Sequence, residues 1–204
     1  MRALALNCSL KRGTAQSSTD KLVGEVLDAM KEHGCQRDGP PVRVANLRIH
    51  PGVTSDEGDG DEWPELRRRI LASNILVFGT PIWLGQPSSI AKRVLERMDA
   101  FLGETDDDGR MMSFGRVAIV AVVGNEDGAH HVTAELYQAL ADVGFTIPAA
   151  GSTYWVGEAM QKTDYQDLGS TPDTTASATA TAAANAVHLA ELLQRAPYRS
   201  AKKS

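Results

Sequence analysis

Cysteine is nearly absent from this sequence of 204 residues: Cys8 and Cys35 are the whole complement. Two such residues supply neither a metal-ligand spacing nor a disulfide framework, and they read as the reduced thiols of a cytoplasmic protein. Long apolar runs are missing too. The longest, such as Val117 to Val123, fall far short of the roughly 20 residues a membrane helix requires. Met1 leads straight into a strand pattern, so neither a membrane span nor a signal peptide is expected. Positive charge is not in excess either. With 21 Lys and Arg against 26 Asp and Glu the net charge is −5, which argues against a nucleic-acid surface. The exception is a small basic cluster, Arg195, Arg199, Lys202 and Lys203, which reads as a flexible, solvated tail over 197–204. Neither Gly-x-Gly-x-x-Gly nor Gly-x-x-x-x-Gly-Lys-Ser/Thr occurs, so a dinucleotide fingerprint and a triphosphate loop are both unsupported.

What remains is an ordinary globular composition, 42% hydrophobic and 23% charged, enough for one domain with a substantial core, placed here at 1–196. Its most informative stretch is Leu4 to Asp20. A short apolar run enters a loop of small hydroxyl residues around Lys11, Arg12 and Gly13, and an apolar-periodic helix follows from Ser18. A helix start presents unpaired N–H groups and partial positive charge, which suits an anion such as a phosphate. Ser9, Thr14, Ser17 and Ser18 could add hydroxyl donors and Lys11 a full charge. Ser17 or Ser18 also reads as an ordinary helix cap.

Strands alternate with amphipathic helices along the rest of the chain. The first helix places Leu22, Val23, Val26, Leu27 and Met30 on one face and stops at Gly34. Val42 to Leu47 reads as the second strand. The acidic loop from His50 to Glu62 lacks calcium-loop spacing and reads as solvated, with Asp61 as a cap for the next helix. The continuous apolar run before Gly79 reads as a central parallel strand, followed by the loop Thr80-Pro81-Ile82-Trp83-Leu84-Gly85-Gln86-Pro87. Pro87 suits a first helical turn, with Ile90, Val94, Leu95, Met98 and Leu102 as the buried stripe. Asp106, Asp107 and Asp108 read as a solvated connection rather than a metal site. Val117 to Val123 is the fourth strand, ending in a loop bracketed by Gly124 and Gly128. The fifth lies at Phe145 to Pro148 or at Ser152 to Trp155, and a final helix closes the chain near Arg195.

Five such units, with functional-looking loops after strands one, three and four, imply an α/β fold of flavodoxin type. This is a three-layer sandwich with a five-stranded parallel sheet of order 2-1-3-4-5 and helices on both faces. Its ligand belongs outside the carboxyl ends of strands one and three. Flavin mononucleotide (FMN) suits those loops better than a dinucleotide.

Three motifs also resemble the flavodoxin-like NAD(P)H-dependent FMN reductase family. They are Asn-Cys-Ser-Leu-Lys (7 to 11) with Ser17, Thr-Pro-Ile-Trp-Leu-Gly (80 to 85) with 91 to 99, and Gly-Asn-Glu-Asp-Gly-Ala (124 to 129). The resemblance implies that Ser9, Lys11 and Ser17 hold the FMN phosphate. It also implies that Pro81, Ile82, Trp83, Leu84 and Gly85 run along the isoalloxazine ring, and that Gly124, Asn125 and Gly128 face its pyrimidine side. By the same resemblance NAD(P)H is the co-substrate and a quinone, azo or nitro compound or a flavin is the small-molecule acceptor. No side chain need act as acid, base or nucleophile, because the cofactor supplies the reactivity. A homodimer or homotetramer is implied as well; Tyr154 and Trp155 read either as interface aromatics or as a strand end in the monomer core. The competing reading is a flavodoxin-type electron carrier without nicotinamide-dependent turnover.

Overall fold

The computed structural model describes residues 1–159 and 161–199. Its strands and helices, in chain order, are β1 (Arg2–Asn7), α1 (Ser18–Glu32), β2 (Gln36–Arg37), β3 (Val42–Arg43), α2 (Trp63–Ala72), β4 (Ile75–Trp83) and β5 (Gln86–Pro87). They continue with α3 (Ser89–Met98), β6 (Val117–Gly124), α4 (Ala129–Asp142), β7 (Ser152–Val156) and α5 (Asp173–Arg195). The main path of the sheet runs β2-β1-β4-β6-β7, with β3 also on β1. All these pairings are parallel. Counting β2 and β3 as one interrupted second strand, this is the 2-1-3-4-5 order of a flavodoxin-like sheet.

Side chains alternate across that sheet with the strand period of two. Leu4, Leu6, Leu76, Phe78, Val120 and Val122 point to one face, where Trp63, Leu66 and Ile70 of α2, Val94 and Met98 of α3, and Leu136 and Leu140 of α4 cover them. Ala3, Ala5, Ile75, Val77, Ile119 and Ala121 point to the other and meet Leu22, Val26 and Met30 of α1 and the alanine-rich face of α5. Burying each Leu or Val of this kind contributes about 1.5–3 kcal/mol. Alanines on α5 let it lie close to the sheet, so the Ala-Thr stretch is a packed helix. Gly79 does the same for α1: a Cβ there would fall 2.3 Å from Val23 Cγ1 and 2.9 Å from the Leu6 carbonyl.

Several details depart from the sequence-based expectation. Strand two does not run from Val42 to Leu47; it is split, because Gly39 turns at φ +79° and Pro40 and Pro41 have no N–H to give a ladder. Val44–Asn46 is then a 3₁₀ turn that buries Val44 and Ala45. β4 continues through Pro81 to Trp83, pairing with β6 as far as Pro81 opposite Val123, while β1 ends beside Gly79. Pro81 therefore sits where the β1 side needs no donor. Pro87 is not in a helical turn but pairs with Ile82, and Ser88 caps α3 by accepting from the Ala91 N–H at 3.0 Å.

Leu102 is exposed and Phe101 buried, because a 3₁₀ turn over Asp99–Gly103 rotates the core face by three residues rather than four. The fifth strand is the Ser152–Val156 segment, and Thr146 makes only an isolated bridge to Val117. Asp61 does accept from the first N–H of α2, that of Trp63, at 3.1 Å, although Glu62 holds the cap position, and it is also a buried ion-pair partner of Arg97 at 2.7 Å. Arg97 also donates to the carbonyls of His50 and Thr54, so the far end of the acidic loop is fastened under α3. Of the tail expected over 197–204, residues 200–204 lie outside the described residues. Tyr198 packs on Phe114 and its carbonyl accepts from Arg110. No helix among the described residues is long and apolar enough to cross a membrane.

Candidate functional site

The carboxyl ends of β1, β4, β6 and β7 converge beside the amino end of α1. Asn7, fully buried as the last residue of β1, organises the turn between them. Its Oδ1 accepts from the Ser9 N–H at 2.9 Å and its Nδ2 donates to Ser17 Oγ at 3.2 Å and to the Asp20 carboxylate. Ser17 caps α1 by accepting from the Asp20 N–H at 3.1 Å. The amides of Ser18 and Thr19, in the first helical turn, have no intrahelical acceptor by construction. Arg43 pairs with Asp20, offsetting a carboxylate that would otherwise repel an anion at this point. Asn46 clamps the loop from the other side, accepting from the Gly13 N–H at 2.7 Å and donating to the Gly13 carbonyl at 3.2 Å. The loop around Lys11 is thus held by β3 and the turn after it.

Beside this turn opens a cavity of about 430 Å³, within the range of small-molecule sites. At one end lie Ser9, Lys11, Ser17, Ser18 and Thr19; at the other lie Pro81, Ile82, Trp83, Gly124, Asn125 and Glu126. Ser9 is 5% exposed, and its Oγ is buried without a hydrogen-bond partner among the described residues. A buried orphan hydroxyl costs about 1–3 kcal/mol, so its place in the turn after β1, linked through Asn7 to the start of α1, fits an anionic group that the protein expects to receive. Hydroxyls, helix amides and the Lys11 ammonium together form a donor set suited to a phosphate ester, and the Pro81–Trp83 and Gly124–Asn125 backbone borders a slot for a flat ring.

Of the residues expected at the site, Ser9, Lys11, Ser17, Ser18, Pro81, Ile82, Trp83, Gly124 and Asn125 line the cavity, whereas Leu84, Gly85 and Gly128 do not. Leu84 stands at the rim, 90% exposed, in left-handed backbone at φ +52°. The Glu126 carboxylate accepts its N–H at 2.9 Å and steadies that conformation. Gly128 faces Gly85 rather than the cavity: a Cβ on it would lie 2.9 Å from Gly85 Cα, so the two loops touch only because this residue is glycine. Cys8, fully buried, carries a thiol whose pKa burial pushes far up, which makes it an inert core residue.

The sequence did not mark the far wall. Trp155, Ala159, Gln161 and Asp164 line the cavity from β7 and the loop after it. Trp155, a candidate interface residue by sequence, leans on Tyr165 with ring centroids 5.3 Å apart. That loop is tied to α1: Lys21 Nζ donates to the carbonyls of Tyr165 and Leu168 at 3.1 and 3.0 Å. The Tyr165 hydroxyl donates to Glu25, as does Thr171 Oγ1 at 2.7 Å. Burial and then the Glu25 hydrogen bond push the Tyr165 phenol up, so it stays protonated as the donor. Two more ties reach the site itself. Asn125 Nδ2 donates to Asp164 Oδ1 at 2.8 Å, and the Gln166 N–H donates to Ser18 Oγ at 3.3 Å. Nothing in a stretch of mixed polar residues announces such a role.

Comparison with known proteins agrees with this geometry. The family model described as NADPH-dependent FMN reductase matches residues 1–161. Over 208 residues the chain is 31% identical to 8-demethyl-8-aminoriboflavin-5'-phosphate synthase of Streptomyces davaonensis, covering 97% of this chain and 80% of that protein. A crystal structure of RosB with a bound intermediate, 8-demethyl-8-formylriboflavin-5'-phosphate, superposes with a TM-score of 0.86 at 30% identity, over 97% of this chain and 82% of that one. The chain is also 39% identical over 207 residues to part of a Mycobacterium bovis protein named divalent metal cation transporter MntH. It spans only 30% of that protein's length, while 98% of this chain is covered.

Proposed function

The chain belongs to the NADPH-dependent FMN reductase family, and from that premise we propose that it binds FMN and uses NAD(P)H to reduce a small acceptor such as a quinone, an azo or nitro compound, or a flavin. The observation that carries this reading is the Ser9 hydroxyl in the turn after β1, unpartnered among the described residues, on the wall of a cavity that Pro81–Trp83 and Gly124–Asn125 also border. FMN held there would supply two-electron chemistry between a nicotinamide and the acceptor. The protein's part is to hold and orient. Ser9, Ser17, Lys11 and the first amides of α1 would hold the phosphate, and the Pro81–Trp83 segment would run beside the ring. Trp83, 53% exposed at the mouth, leaves a face open for nicotinamide and acceptor in turn.

A second reading is favoured by the 31% identity to a synthase named for a riboflavin phosphate product: the flavin nucleotide would be substrate rather than resident cofactor. Purified protein saturated with FMN is mixed with NADPH or NADH under argon, and then with a quinone. The proposed function requires bleaching of the flavin in one two-electron step and repeated nicotinamide oxidation with the flavin mass unchanged. Turnover that alters the flavin's own mass favours the second reading. Absence of nicotinamide oxidation with a flavin that still cycles under dithionite favours a carrier.

A further inference from the structure

Asp164 is a carboxylate on the wall of a cavity whose expected ligand is itself an anion. Among the described residues it forms no ion pair, and the one hydrogen bond to its side chain comes from Asn125 Nδ2 at 2.8 Å. An ionised carboxylate accepts about four hydrogen bonds, so most of its capacity, including all of Oδ2, is uncommitted. Repulsion keeps it from serving the phosphate end. Its loop nevertheless runs between the two ends: Gln166, two residues on, is bonded to Ser18 at the helix start, while Asp164 itself is bonded to Asn125 at the ring end. The part of a flavin mononucleotide that spans such a gap is the ribityl chain, whose hydroxyls are donors that a carboxylate accepts well.

Resting on the flavin reading above, we propose that Asp164 is a specificity-determining residue that accepts hydrogen bonds from the ribityl hydroxyls, with Asn125 as the partner that orients it. The loop carrying it is held for this task by Lys21 and Glu25 of α1, which fix Tyr165, the next residue in sequence. Selection then falls on the polyol that joins the ring to the phosphate, and not on either end alone.

The test pairs variants with a ligand analogue. FMN is compared with the phosphate of an isoalloxazine carrying a plain pentyl chain, which keeps ring and phosphate and lacks the internal hydroxyls, and binding is read by quenching of flavin fluorescence. Wild type should prefer FMN by about tenfold or more, the effect of hydrogen bonds to a charged group. Asp164→Ala should lose that preference, binding FMN about tenfold more weakly and the analogue within about twofold of wild type. Asp164→Asn keeps one acceptor oxygen and should retain part of the preference; it also serves as the readout if the alanine variant does not fold. Equal weakening of both ligands by Asp164→Ala, or a wild type that does not distinguish them, overturns the proposal. A wild type that binds neither overturns the flavin reading as well, and is told apart by the absence of any quenching.

Discussion

Removing the Ser9 hydroxyl should strengthen the ligand-free protein and weaken its complex, two effects of opposite sign from one atom. Ser9 Oγ is buried with no partner, while the Ser9 N–H is already bonded to Asn7. Ser9→Ala therefore deletes an unsatisfied polar group without disturbing the backbone. The free protein should gain about 1 kcal/mol, the low end of the penalty for a buried orphan, which for a chain of this size is a rise in Tm of about 2–4 °C. In the proposed complex the same hydroxyl would donate to a phosphate oxygen, a charge-assisted bond worth about 1.5–3 kcal/mol. Its loss should raise the Kd for FMN by about 10-fold to 150-fold. Thermal melts of apo protein and fluorescence titration with FMN measure the two halves separately. A variant that melts lower than wild type and binds FMN equally well would show that the hydroxyl is a structural group, and would refute the assignment of the α1 start as the phosphate site.

The remaining expectations concern charge and assembly. Lys11→Ala should weaken FMN much more than riboflavin if, as proposed, the ammonium holds the phosphate; equal losses in parallel titrations would place Lys11 elsewhere. Burial opposes ionisation of Asp61, yet hydrogen bonds from the Glu57 N–H, the Arg97 guanidinium and the N–H groups of Trp63 and His50 outweigh it. They lower its pKa from 3.8 to about 2. A depressed native pKa stabilises fully above the unfolded value and is lost as pH falls through the native one. Denaturant melts should therefore show stability falling between about pH 4 and pH 2, and Asp61→Asn should flatten that slope. Because the variant leaves Arg97 buried and unpaired, it should also cost about 3–5 kcal/mol at neutral pH. A homo-oligomer is proposed on the strength of the exposed apolar rim of Leu10, Trp83 and Leu84. Light scattering that returns a monomer mass at micromolar concentration would remove it.

The sequence by itself determined the layers and the order of the sheet. Continuous apolar runs at β4 and β6 require cover on both faces, and the helical stripes of α1, α3 and α4 supply it. Ser17 and Gly34 mark the ends of α1 by local chemistry that does not depend on the rest of the chain. The turn that lines one end of the cavity was legible for the same reason, since a hydroxyl-rich turn feeding a helix start is a local feature.

Tertiary structure alone decided which side chains share an environment. Asp61 read as a cap at the end of a solvated loop, and only the packing of α3 brought Arg97 onto it. Trp155 read equally as an interface aromatic or a strand end, and only the packed fold sets it beside Tyr165 and on the cavity wall. Leu102 lost its core place to Phe101 because one turn of 3₁₀ geometry shifts the helical phase, which periodicity over a straight helix does not foresee. Asp164 meets Asn125 across 39 residues of chain. Contacts of that separation depend on where whole elements pack, and a local pattern of residue types carries no term for them.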